Sequence, residues 1–288
     1  MTSARRRQRN NGGVFALHGW LFAAVLAAGF VSGYAGGLFG IGGGIVTVPA
    51  LYAVFHSFDV SEEASLKSAI GTSLAVIIVT SLRSLSTHHR AGHVDTRILA
   101  AWAPWIAAGS AVGGLVSRWA PVEFLTIVFV CGAGWIGWRR LSGPKGAKGG
   151  AGPDLTSKRV HIPIGVGTGV FSSLMGLGGG AVGVMVMTWA GRSIHQAVAT
   201  AAGFGVAVAV PGTIGFIIAG YGHSDLPPFS LGFVNMAAFA AMAVTSAIAA
   251  PFGARLAHRM KGDLLSKLFG AYILLAAAGL LWDVLFGR

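Results

Sequence analysis

The sequence predicts an all-α polytopic membrane protein made of two inverted repeats of about five transmembrane elements each, with glycine-rich broken or half helices near the bilayer midplane. Three observations carry that prediction. The 288 residues are 54% hydrophobic and 10% charged, with a mean hydropathy of +0.70, which is too apolar for a soluble domain of this length. A glycine stretch occurs twice, as LFGIGGG from Leu38 to Gly44 and as LMGLGGG from Leu174 to Gly180. Each copy leads into a segment too short for an ordinary membrane helix, and such a pair in corresponding positions points to a ligand site. Between the copies lies a basic stretch rich in Gly and Pro, 139–159, which reads as a linker between two halves.

Taken in order, residues 1–13 form a basic tail with Arg5, Arg6, Arg7 and Arg9. The apolar run 16–37 behind it reads as an uncleaved first helix rather than a signal peptide, because it leads straight into the glycine stretch. Ile45 to Phe55 carries Pro49 and falls short of the ~20 residues a lone span needs, so it reads as half of a discontinuous helix. Residues 56–65 are a polar connection. Lys67 to Leu85 is the third apolar element, with Ser68, Thr72 and Ser73 near its start, and Arg83 to Arg97 reads as a basic, histidine-rich loop. Ile98 to Val116 and Val122 to Trp138 complete a first repeat over 14–138. The second repeat, 160–288, runs through Val160–Met175, Ala181–Ala190, Gln196–Ala219, Phe229–Ala250 and Leu264–Phe286. The halves align beyond the glycines, since AIGTS from Ala69 matches AVATA from Ala197 and sets Thr72 opposite Thr200.

The net charge of +12 would suit a nucleic-acid partner. The Lys and Arg residues lie instead in short connections between spans, as the positive-inside rule requires, so the bilayer is the expected partner and nucleic acid is not. An odd number of crossings per half inverts one copy against the other. With five, the linker and the connections holding Arg90, Arg97, Arg192 and Arg259 fall in the cytoplasm, and Glu62, Glu63, Glu123 and Asp225 fall outside. The arginine tail then lies outside and breaks the rule, whereas a re-entrant first glycine segment would place it inside and break the equivalence of the halves. Cys131, the single cysteine, reads as a buried small hydrophobe. No metal-ligand cluster, cofactor motif or P-loop accompanies the glycines.

Backbone that leaves helical geometry inside a membrane must be buried in protein or line a wet cavity. Successive glycines allow that departure. The helix after each stretch presents free N–H groups and a positive dipole end, worth roughly 0.3–2 kcal/mol toward an anion. The predicted site is therefore Gly40, Gly42, Gly43 and Gly44 with Gly176, Gly178, Gly179 and Gly180, assisted by the hydroxyls of Thr72, Ser73 and Thr200. Close helix packing competes with this reading for any single glycine or hydroxyl. Arg83, His88 and Pro49 are assigned to a gate or entry; solvation of the basic loop, with Arg83 snorkelling to the interface, competes for the first two. No Asp or Glu falls mid-span, which argues against a carboxylate proton relay. The tryptophans fall mostly toward span ends and read as interface anchors.

The duplicated GLFGIGGGIVTVPAL and GLGGG segments, the KSAIGTS run and the basic linker resemble the TauE/SafE sulfite exporter family. The resemblance covers essentially the whole chain after the tail. It implies a multi-pass protein of a bacterial inner membrane that carries a small sulfur-containing anion such as sulfite or an organosulfonate, by alternating access between the two glycine breaks. The second copy departs from the pattern, with Met185 near where the first has Pro49 and Ala199-Thr200-Ala201 in place of Gly-Thr-Ser, so the first copy is expected to matter more. An intramembrane enzyme or a non-transporting assembly subunit are the alternatives. Rhomboid-like chemistry needs Ser and His on facing helices, and aspartyl proteolysis needs paired mid-span Asp. The oligomeric state is open, with a homodimer allowed.

Overall fold

In the computed structural model the described residues are 22–57, 60–141 and 155–286. The arginine tail, Trp20, Asp59 and most of the linker lie outside them. Ten helices follow in order among the described residues: α1 (Phe22–Phe39), then α2 (Gly44–His56), α3 (Glu62–Arg90), α4 (Thr96–Val116), α5 (Val122–Leu141), α6 (Lys158–Leu174), α7 (Gly180–Trp189), α8 (Ile194–Ala219), α9 (Met236–Arg259) and α10 (Gly262–Phe286). A two-strand hairpin, β1 (Ser230–Leu231) and β2 (Val234–Asn235), precedes α9. Seven of the helices, α1, α3, α4, α5, α8, α9 and α10, are long and apolar enough to cross a membrane. The chain is an all-α polytopic membrane protein.

Local sequence explains where the long helices start. Ser61, Asp95, Ser193 and Asn235 each accept the backbone N–H three residues on, capping α3, α4, α8 and α9. The two short helices differ, because α2 and α7 begin behind Gly43 (φ 86°) and Gly179 (φ 66°) with no side-chain cap. Their first N–H groups are left to whatever lies in front of them.

Contacts between named residues fix the direction of each helix. Gly29, Gly33 and Gly37 of α1 lie against Met242, Ser246 and Ala250 of α9, so the two run parallel. Gly36 then meets Gly42 and Gly43, Ser32 bonds Thr47, and Ala24 and Ala28 share a groove with Leu51 and Val54. Helix α2 therefore folds back on α1. Gly42 and Gly44 sit beside Ile77, in the middle of α3, and from there α2 returns to the end where α3 begins. The half-length helix appears as expected. What hydropathy left out is that α1 and α2 form a hairpin whose turn lies inside the bundle. Helices α6 and α7 repeat the arrangement: Gly169 and Ser173 follow α4 through Ile106 and Gly113, and α7 returns along α8 through Gly179–Val208 and Gly183–Phe204.

The long helices interlock the halves. Helices α3 and α8 run antiparallel, since Ser81 meets Gly205 and Leu74 meets Gly212. One end of the bundle gathers the end of α3 with that of α9 through His88 and His258, and the starts of α4 and α8 through Asp95 and Thr200. The opposite end joins Ser61 to Asp225, Lys67 to the Arg118 carbonyl and Arg118 to the Ala219 carbonyl. Helix α5 packs mainly on α10 at the periphery. Cys131 is therefore exposed on its outer face rather than buried as expected.

Candidate functional site

The two glycine turns cross in the middle of the bundle, and their contact is reciprocal. A Cβ on Gly44 would collide with the carbonyl oxygen of Gly176, and a Cβ on Gly180 would collide with that of Gly40. Gly178 also faces the carbonyl of Ile41. Only backbone without side chains approaches this closely, and Gly40, Gly42, Gly43, Gly176 and Gly179 hold positive φ to turn the chain there. The crossing brings all eight predicted glycines together, with the N-termini of α2 and α7 at the same place and every one of these residues buried. Among the described residues, no hydrogen bond is donated by the N–H of Gly42 or Gly43.

Of the predicted hydroxyls Ser73 bonds the crossing, whereas Thr72 and Thr200 bond helix starts away from it. Ser73 donates to the Gly176 carbonyl at 3.0 Å, tying α3 to the opposite turn. Thr72 accepts the N–H of Asn235 at 2.8 Å, and Thr200 accepts that of Asp95 at 2.9 Å. Asn235 and Asp95 are the N-caps of α9 and α4, so each threonine braces the corresponding helix start of the other repeat. A related pair stands at the two ends of the bundle. Lys67 donates to the Arg118 carbonyl at 3.1 Å, and a His195 ring nitrogen lies 3.0 Å from that of Met260. Lys67 is buried, and its charge is met by Glu63 at 2.6 Å and by the face of Phe233, as a buried ammonium requires.

The proposed gate residues separate. His88 lies in α3, which continues through Arg90 rather than ending at Leu85, and it is wholly buried instead of solvated. One ring nitrogen, Nε2, lies 3.2 Å from the Gly37 carbonyl and the other, Nδ1, 3.1 Å from His258 Nε2. A carbonyl only accepts, so Nε2 of His88 carries hydrogen. In the neutral pair His258 Nε2 must then donate to His88 Nδ1. This latch fastens the end of α1 to α3 and α9. Arg83 is exposed and reaches along α9 to the Ala247 carbonyl, and Pro49 sits half-buried within α2.

Sequence reasoning missed Ser32, Thr47, Ser81 and Ser84. Ser32 and Thr47 share a hydrogen bond of 2.6 Å, and both lie within reach of the Gly43 carbonyl, at 3.0 and 3.2 Å; with one O–H each, one donates to the other and the second to the carbonyl, which clamps the first turn. Ser81 and Ser84 continue the α3 face that carries Ser73 and Ile77, a periodicity legible in the numbering. Met175 is fully buried against Gly132, as packing predicts. Of the tryptophans, Trp119, Trp138, Trp189 and Trp282 are exposed, whereas Trp102 is buried and donates to the Leu155 carbonyl at 2.7 Å. Among the described residues no group of three or more His, Cys, Asp or Glu side chains is arranged to hold a metal ion.

A probable membrane transporter protein of Haemophilus influenzae is 29% identical over 257 residues, covering 88% of this chain and 95% of that one. One of Methanocaldococcus jannaschii is 26% identical over 256 residues, covering 83% and 88%, and one of Bacillus subtilis is 33% identical over 105 residues, about a third of either chain. No solved structure matches. The family described as sulfite exporter TauE/SafE matches residues 25–280, which is nearly all of the described structure, so the chain belongs to the TauE/SafE sulfite exporter family.

Proposed function

We propose that the protein exports a small sulfur oxyanion, such as sulfite or an organosulfonate, across a bacterial inner membrane by alternating access about the crossing of its two glycine turns. The observation that carries this reading is the reciprocal crossing itself. Two helix N-termini, α2 and α7, start there from opposite ends of the bundle behind uncapped glycines. Both dipole ends favour negative charge, and neither places a fixed cation in the middle that would hold the anion too long. Gly40, Gly42, Gly43 and Gly44, Gly176, Gly178, Gly179 and Gly180, and the hydroxyls of Thr72, Ser73 and Thr200 form the substrate site.

The inverted repeat is part of the proposal. It is supported by the antiparallel packing of α3 on α8 and by the matched pairs Thr72–Asn235 and Thr200–Asp95. An exchange of access then needs each hairpin to shift against the long helices that brace it. We assign the end of the bundle holding Arg90, Arg97, Lys158, Arg159, Arg192, Arg259 and Lys261 to the cytoplasm, and the linker with it, because the positive-inside rule favours that side for Lys and Arg.

The test is flux through liposomes containing the purified full chain. Sulfite or a simple alkanesulfonate is expected to equilibrate faster than in protein-free vesicles. Passage of a cation with no passage of any sulfur oxyanion would overturn the proposal.

A further inference from the structure

Helix α3 carries a stripe that the glycine crossing does not account for. Ser73, Ile77, Ser81, Ser84 and His88 follow at helical intervals and share one face. Ser73 and Ile77 touch the crossing, and His88 closes the stripe at the latch with Gly37 and His258. Between them Ser81 and Ser84 are fully buried, and neither hydroxyl has a hydrogen-bond partner. Ser65 and Ser68, near the start of this helix, are unpartnered as well, whereas Thr80 and Thr87 satisfy themselves on the turn before, at Val76 and Arg83. Ser81 and Ser84 do not, although the same carbonyl-directed geometry is open to any serine in a helix.

Position gives these two groups a role. The Ser81 oxygen lies 3.0 Å from where a Gly42 Cβ would be, beside the turn whose N–H groups donate to nothing among the described residues. The face is also specific to the first repeat. With Thr72 aligned on Thr200, the counterparts of Ser81, Ser84 and His88 are Ala209, Gly212 and Phe216, which offer no hydroxyl or imidazole. A buried hydroxyl without a partner is costly, and occupation by a ligand for part of a cycle is one way that cost is met.

We infer that Ser81 and Ser84, with the N–H groups of the Gly42–Gly43 turn, form an oxyanion-binding position one step from the crossing toward the basic end of the bundle. The position holds the substrate between the crossing and the His88–His258 latch, and it makes the path one-sided because α8 lacks the matching groups. It takes a small tetrahedral or pyramidal oxyanion, whose oxygens accept from two hydroxyls a turn apart. This rests on the oxyanion-transport reading above.

The experiment compares wild type with Ser81→Ala, Ser84→Ala and the hydroxyl-preserving Ser84→Thr, in the full chain reconstituted in liposomes with sulfite as probe. Each alanine variant is expected to raise KM for sulfite about tenfold, the loss of one hydrogen bond to a charged group, and Ser84→Thr is expected to stay near wild type. Both alanine variants are also expected to unfold at the wild-type temperature or above, since each removes an unpartnered buried hydroxyl. Unchanged KM in both alanine variants, with wild type active, overturns this inference and leaves the transport proposal standing. A wild type that passes no sulfur oxyanion overturns the transport proposal and this inference with it. Lower unfolding temperatures with unchanged KM would identify the two serines as packing groups and overturn the inference as well.

Discussion

Gly44 and Gly180 are the residues on which the two turns depend, because each faces a carbonyl of the opposite turn with no room for a methyl group. That carbonyl belongs to backbone and cannot rotate away as a side chain would. Gly44→Ala and Gly180→Ala are each expected to cost roughly 3 kcal/mol, the upper end for overpacking a tight interior, and to cost similar amounts because the contact is reciprocal. Gly134→Ala and Gly167→Ala are the controls. A Cβ there meets nothing within 4 Å, so each should be neutral or stabilise its helix by up to about 1 kcal/mol. Thermal unfolding of the purified variants in detergent reads the difference, and tolerance of alanine at 44 or 180 would mean that the turns do not cross so closely. The glycine clusters were legible because several glycines in succession favour a departure from helix, whereas single ones such as Gly29 and Gly134 sit within helices. Ser32, Thr47 and Ser81 were not, since a hydroxyl in a helix looks the same whether it bonds its own turn, a neighbouring helix or nothing. The Thr72–Thr200 correspondence was visible in the alignment, but its partners, the N-caps of α9 and α4, are brought near only by tertiary structure.

The two hairpins share a design and differ in how they are fastened. The first is held by Ser32 and Thr47, which bond each other and place one hydroxyl hydrogen on the Gly43 carbonyl, and by His88 at the Gly37 carbonyl. At the matching places the second has Thr168, whose hydroxyl has no partner, then Gly183 and Phe216. If each of two missing bonds is worth about 1 kcal/mol net, local opening of α7 is easier by about 2 kcal/mol, and its amides should exchange roughly thirtyfold faster than those of α2. Hydrogen exchange followed by mass spectrometry in lipid nanodiscs measures this directly. The Thr47→Val variant should narrow the gap by speeding α2, and equal exchange in α2 and α7 of the wild type would remove the idea that the second hairpin is the looser element. Hydropathy could show that α2 and α7 are short. It could not show that they fold back, because length and composition carry no direction; the contacts of Gly36, Gly42 and Ser32 supply it. The same limit placed His88 in a loop, since a run of polar and basic residues at a helix end resembles a connection until its burial is known.

For the whole molecule, the fold-back and the crossing count lead to one topology. On the proposed inverted-repeat reading, a hairpin that enters and leaves by the same end adds no net crossing, which would leave α3, α4 and α5 as the crossings of the first repeat and α8, α9 and α10 as those of the second. Three crossings per repeat are odd, as five would be, so the proposed inversion is compatible with either count. It follows that the starts of α1, α3 and α9 share one side, while the starts of α4, α6 and α8 share the other. The charges divide along the same line. Arg90, Arg97, Lys158, Arg159, Arg192, Arg259 and Lys261 lie at the second of these ends with Asp95 and Asp263, whereas the first holds Glu62, Glu63, Glu123 and Asp225 with Lys67 and Arg118. Lys67 pairs with Glu63 at the first end and Arg192 stands 4.0 Å from Asp95 at the second, so neither pair alters the balance. The rule that cytoplasmic connections retain Lys and Arg then predicts that the basic end is inside. In a Cys131→Ser background, cysteines at Gly92 and Gly191, where added side chains meet nothing within 4 Å, should react with a membrane-impermeant maleimide only after the cell envelope is opened. A cysteine at the exposed Tyr221 should react in intact spheroplasts. Labelling of Gly92→Cys and Tyr221→Cys from the same side would break the three-crossing repeat, because α3 to α5 and α8 to α10 could not then traverse the membrane in opposite order. The reversed pattern, with Gly92→Cys labelled from outside, would keep the fold and turn the molecule over, making the basic end a periplasmic mouth.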